Sequence, residues 1–118
     1  MQKNSSSFEP GEIVVADILY SAQAGIKKRP VLVISNAKHN NQSANVIVLS
    51  ISSTELKTPY DVALTNKDLV EGELITESKI LCDFPTTLEK TMVPKKIGKI
   101  RKEKLDETKK KIKELYEL

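Results

Sequence analysis

Three features of the sequence predict a mainly β (α+β) fold: a small barrel or strongly curved sheet of five to six strands, closed by one C-terminal amphipathic helix. Short runs of β-branched and other apolar residues recur between residues 12 and 93, separated by polar turn segments. From Ile97 the apolar spacing lengthens to three to five residues, through Ile100, Leu105, Thr108, Ile112 and Leu115, with lysine and glutamate between them. The chain has 118 residues, enough for one domain and too few for two ordinary ones.

Taken in order, residues 1–9 are polar and serine-rich and read as a disordered N-terminal tail, leaving 10–118 as a single domain. Pro10-Gly11 signals a turn, and residues 12–20 read as a strand apolar on both faces except at Asp17. A two-faced apolar strand in so short a chain suggests that a partner subunit covers one side, so a homodimer is expected. Residues 21–29 read as a polar loop closed by Arg29, and 30–35 as a second strand, whose first position tolerates Pro30. Residues 36–45 are rich in asparagine and read as a loop, 46–52 as a third strand and 60–64 as a fourth. Residues 65–72 read as a short capped helical turn or a tight loop. A fifth strand is expected over 78–83 and a sixth over 86–93, with the helix starting near residue 101.

Composition excludes several function classes. One cysteine, Cys82, cannot form an internal disulfide, and together with His39 it is too little for a structural zinc site. The four glycines form neither a phosphate-cradling loop nor a dinucleotide fingerprint. No metal and no cofactor are expected. No apolar run reaches membrane-spanning length and the first residues lack a signal-peptide core, so a cytoplasmic location without membrane contact is expected.

The net charge of +3 is uneven. Residues 1–89 hold 8 basic and 11 acidic side chains, whereas residues 90–113 hold 11 basic and 3 acidic ones. A local positive field draws polyanions, although a lysine-rich solvated helix face would read the same way. Only two basic residues are arginine, Arg29 and Arg101. Guanidinium offers phosphate a planar fork that ammonium lacks.

His39 lies in an asparagine-rich loop without a nucleophile motif, and Cys82 sits inside an apolar strand where a buried, inert thiol is expected. What remains is metal-free phosphate chemistry. The 2′-OH of RNA can attack its own phosphorus if a protein binds the nonbridging oxygens as charge accumulates there. Arg29, before the second strand, and the hydroxyls of Ser50, Ser52, Ser53 and Thr54, closing the third, would meet at one rim if those strands are neighbours.

The segments Gly11-Glu12-Ile13-Val14, Arg29-Pro30-Val31-Leu32-Val33-Ile34 and Val46-Ile47-Val48 leading to Ile51-Ser52 resemble, in that order, the PemK/MazF family of toxin endoribonucleases. Glu77-Ser78-Lys79-Ile80-Leu81 and the stretch from Lys96 to the final helix resemble its later parts, so the likeness covers residues 10–118. The resemblance implies an SH3-like barrel, a homodimer, metal-independent cleavage of single-stranded RNA and a cognate acidic antitoxin. It implies Arg29 and Ser52 as the reacting pair, with RNA binding by Gln23, Lys27 and Lys28 of the loop and by Ser53 and Thr54. Three positions depart from the family's pattern: Ser52 stands where threonine is common, Ala22 where a loop carboxylate is common, and Thr86 where some members carry arginine. Two other functions fit the same residues: a non-catalytic module that binds nucleic acid or an acidic protein, and a gyrase-directed toxin of the same fold.

Overall fold

The computed structural model describes residues 7–23, 25–53, 58–93 and 95–118. Its elements are β1 (Glu12–Ser21), β2 (Gly25–Val33), α1 (Ala37–Gln42), β3 (Asn45–Ser52), β4 (Asp61–Leu64), β5 (Leu69–Gly72), β6 (Ser78–Glu89), β7 (Lys95–Ile100) and α2 (Lys102–Tyr116). Short 3-10 turns at Asn66–Asp68 and Lys90–Met92 precede β5 and β7. Among the described residues seven strands form one sheet in the order β4-β6-β3-β2-β1-β7-β5, every pair antiparallel. The sheet curls into a half-barrel with α2 at its end.

Both faces of the sheet are covered within the chain. Val14, Ala16, Ile18, Val31, Val33, Val46 and Val48 pack on one face with Phe8, Leu88 and Val93. On the other, Ile13, Leu32, Leu49, Ile51, Ile80 and Cys82 pack with Leu105, Ile112 and Leu115 of α2. Successive strand residues point to opposite faces, so a sheet covered twice must be written in unbroken apolar runs. On β1 the second face is buried at Ile13, half-buried at Val15 and exposed at Asp17, so the expectation of a homodimer keeps its ground there.

Several boundaries differ from expectation. The N-terminal tail does not run to residue 9. Phe8 is 3% exposed in the core, and its carbonyl accepts a hydrogen bond from Asn40 Nδ2 at 3.0 Å. Residues 1–6 lie outside the described region. One ring among seven polar residues carried too little periodicity to register as core. Residues 36–45 contain α1, which Asn36 caps by accepting from the His39 amide at 2.8 Å. The expected fifth and sixth strands are one, β6. It faces Leu49 with Pro85 and Ile51 with Ile80, so residues 81–84 swing away from Ser50 and Leu81 pairs instead with Asp61 of β4. Proline is tolerated at such an irregularity because no ladder donor is required there. The sheet also gains β5 and β7, so the strand count is seven rather than five to six.

Candidate functional site

Arg29 does not close a loop. The expected loop at 21–29 is mostly strand: β1 and β2 form a long hairpin with Ser21 opposite Gly25, and Arg29 lies within β2 opposite Ala16. Ala16 and Val31 belong to the first core face, so the strand pleat places Arg29 on that face as well. Lys27, opposite the buried Ile18, shares this face. Lys28 points to the other and pairs with Asp17, Nζ to Oδ1 3.2 Å, in an exposed contact of small energetic weight. The three consecutive cations are thus not one patch. Gln23 is exposed at the hairpin tip, beyond Gly25 and so more than about 13 Å along the strand from Arg29.

The neighbour of β2 is β3, as the argument from the rim required. Val31 pairs with Ser50, Leu32 with Leu49 and Val33 with Val48. Counted onward in that register, Arg29 stands opposite Ser52, and both lie on the Val31 face. Arg29 is exposed and Ser52 half-buried. Ser53 is exposed immediately after the strand, and Thr54 lies outside the described residues. Ser50, between Val48 and Ser52 on this face, is 1% exposed. Its hydroxyl has no hydrogen-bond partner, because β6 swings away at this point. Thr86 pairs with Val48, farther along the same face.

Two charged residues complete the row. Ser52 pairs across the sheet with Lys79 of β6, and Lys79 pairs with Ala63 of β4, one strand farther. Lys79 is 2% exposed and its Nζ lies 3.5 Å from Oδ2 of Asp61. Arg29, Ser52, Asp61 and Lys79 are all partnered. Lys79 and Asp61 were not singled out in the sequence. The available signal was a charge at the inward position of an apolar strand, at Lys79 in Ser78–Cys82 and at Asp61 in Asp61–Leu64.

The remaining chemistry-bearing residues serve the fold. His39 lies on α1 with Nδ1 3.1 Å from Asn40 Oδ1. Burial, followed by the charges of Asp61 and Asp83, pushes the Cys82 thiol from 9.0 up to about 11. Arg101 donates from Nε to the Lys67 carbonyl at 2.7 Å, binding the start of α2 to the turn before β5. Among the described residues no three His, Cys, Asp or Glu side chains gather as a metal site, and no helix is long and apolar enough to cross a membrane.

Solved structures share this architecture. The Mycobacterium tuberculosis toxin MazF-mt6 superposes with a TM-score of 0.75 at 22% identity, over 91% of this chain and 97% of that one. An endoribonuclease in complex with its cognate antitoxin, from a mycobacterial species, gives 0.77 at 19% identity over 94% and 96%. A MazE-MazF complex from Deinococcus radiodurans gives 0.76 at 21% over 95% and 98%. At these identities the likeness establishes the fold. No curated protein sequence matches the chain. The family model described as PemK-like, MazF-like toxin of type II toxin-antitoxin system matches residues 9–116. A match over nearly the whole length, on a sheet of the same architecture, means that this chain belongs to the PemK-like, MazF-like toxins of type II toxin–antitoxin systems.

Proposed function

We propose that this toxin is an endoribonuclease that cleaves single-stranded RNA by attack of a 2′-OH on the adjacent phosphorus: the O2′–P bond forms as the P–O5′ bond breaks, the 2′-OH proton passes to water, and the departing 5′ oxygen takes a proton from water. The observation that carries the reading is the pairing of Val31 with Ser50, which, counted two residues onward, brings Arg29 opposite Ser52 on one face of neighbouring strands. The Arg29 guanidinium donates to the nonbridging oxygens as negative charge accumulates on them, and the Ser52 hydroxyl donates a further hydrogen bond. Lys27, on the same face, attracts the phosphate chain without reading bases. Ser53 and Gln23 are exposed and belong to the RNA path beyond this centre, and Thr54, outside the described residues, is a further RNA-binding candidate. Ala22 itself offers no proton acceptor. A solved relative is an endoribonuclease bound to its cognate antitoxin. On this reading the toxin is a cytoplasmic homodimer whose partner is a cognate acidic antitoxin.

The test is cleavage of mixed RNA in EDTA by wild type and by Arg29→Ala. The wild type is expected to cut and the variant to be slower by about 100-fold or more. Equal cutting by both would overturn the assignment. Tight, salt-sensitive binding without cutting would return the protein to the class of non-catalytic RNA-binding modules.

A further inference from the structure

A buried ion pair lies in the same row as Arg29 and Ser52. Four strands adjacent in the sheet, β2, β3, β6 and β4, place Arg29, Ser52, Lys79 and Asp61 on one face. The side chains of Lys79 and Asp61 are 2% and 1% exposed, with Nζ 3.5 Å from Oδ2. Removing two charges from water costs about as much as their attraction returns, and an apolar pair of similar volume is commonly as stable or more so. Stability alone therefore does not account for this pair, whereas its position does.

Lys79 is the direct cross-strand partner of Ser52, the last residue of β3. Asp61 is the first residue of β4 and binds the chain where it returns to the sheet. The Thr58 amide donates to Asp61 Oδ2 and the Thr58 hydroxyl to Asp61 Oδ1, both at 3.2 Å. The Thr58 hydroxyl accepts from the Tyr60 amide at 3.0 Å, and the Asp61 amide donates to the Thr58 carbonyl at 3.2 Å. One ion pair thus ties the end of β3, at Ser52, to the start of β4, at Asp61, and to Thr58 bonded to it.

We infer that Asp61 and Lys79 are positioning residues: their buried pair clamps the end of β3 to the start of β4 and fixes the Ser52 hydroxyl for the phosphate bound by Arg29. The catalytic part of this inference rests on the endoribonuclease reading; the clamp does not. The clamp acts on orientation rather than on RNA affinity, so its loss lowers kcat and leaves KM nearly unchanged.

The experiment uses the double variant Asp61→Leu/Lys79→Met, which removes both charges and keeps the volume. Either single change would strand a buried charge and unfold the chain for an unrelated reason. Melting temperature, amide hydrogen exchange at Ser52, Ser53 and Thr58, and RNA-cleavage kcat and KM are compared with wild type. The expected result is a retained melting temperature, exchange faster by about tenfold at those amides, kcat lower by about tenfold or more, and KM nearly unchanged. A folded double variant with wild-type exchange and wild-type kcat overturns the inference. Should the apolar pair fail to fold, Asp61→Asn/Lys79→Gln takes the same measurements with the same overturning result. A wild type that cuts no RNA would remove the endoribonuclease reading, while the exchange rates would still decide whether the clamp exists.

Discussion

Lys27, Lys28 and Arg29 are consecutive, yet the pleat divides them: Lys27 and Arg29 share a face, and Lys28 is paired with Asp17 on the other. Residue identity was legible in the sequence here, but direction was not, because 21–29 reads as a loop and a loop has no faces. Cys82 is the opposite case. Its apolar neighbours suffice to predict a buried thiol, and it is 0% exposed with its pKa raised from 9.0 to about 11. The folded chain therefore holds the thiol proton at a pH where the unfolded chain releases it. This contribution to stability is complete below pH 9.0 and is lost as pH rises through about 11. Urea denaturation across that range is expected to show a fall in stability for the wild type that is smaller in Cys82→Ala. Identical pH slopes in the two proteins would refute it.

At the level of elements, periodicity located what lies within one strand or helix and failed where two strands impose a shape on each other. The helix near residue 101 and the 3-10 turn within 65–72 were legible from spacing and capping residues. β5 and β7 were not. They cross at Gly72 and Gly98, where the backbones approach so closely that a Cβ at Gly72 would overlap the Ile97 carbonyl oxygen. Gly72 also has φ +84, in the left-handed region that glycine occupies without strain. Gly72→Ala is expected to lower stability by about 1–3 kcal/mol, read as a lower denaturation midpoint. An unchanged midpoint would mean that β5 is not held against β7 in solution. β6 makes the same point: Pro85 and the excursion at 81–84 divide its pattern into two apparent strands, and only its pairing with both β3 and β4 joins them.

Across the whole molecule, five of the 11 basic residues at 90–113 are balanced where they stand. Lys96, Lys99, Lys102, Lys104 and Lys111 each pair with a carboxylate of the same face or of a neighbouring element. Exposed pairs of this kind contribute little stability, but they reduce the field that a counted charge would suggest. The proposed function puts RNA attraction on the Arg29 face rather than on the helix, which a salt series tests. Lys27→Ala is expected to lower the salt slope of RNA binding by about 0.7, the share of one phosphate contact on a single strand. Lys109→Gln/Lys110→Gln on the exposed side of α2 is expected to leave it unchanged. Filter-binding or fluorescence titrations across a salt series measure both, and the reverse ranking would place the RNA on α2.

By itself the sequence determined the β-rich class, the closing helix and the buried thiol, while the family resemblance nominated Arg29 and Ser52 for the proposed reaction. Each depends on local pattern or on residue chemistry, which the order of amino acids carries directly. Only the tertiary structure decided that Phe8 is core, that β6 is one strand, and that Lys79 and Asp61 stand in line with Ser52. Those facts depend on register between segments distant in the chain. A displacement of one residue in that register would turn every side chain concerned to the opposite face.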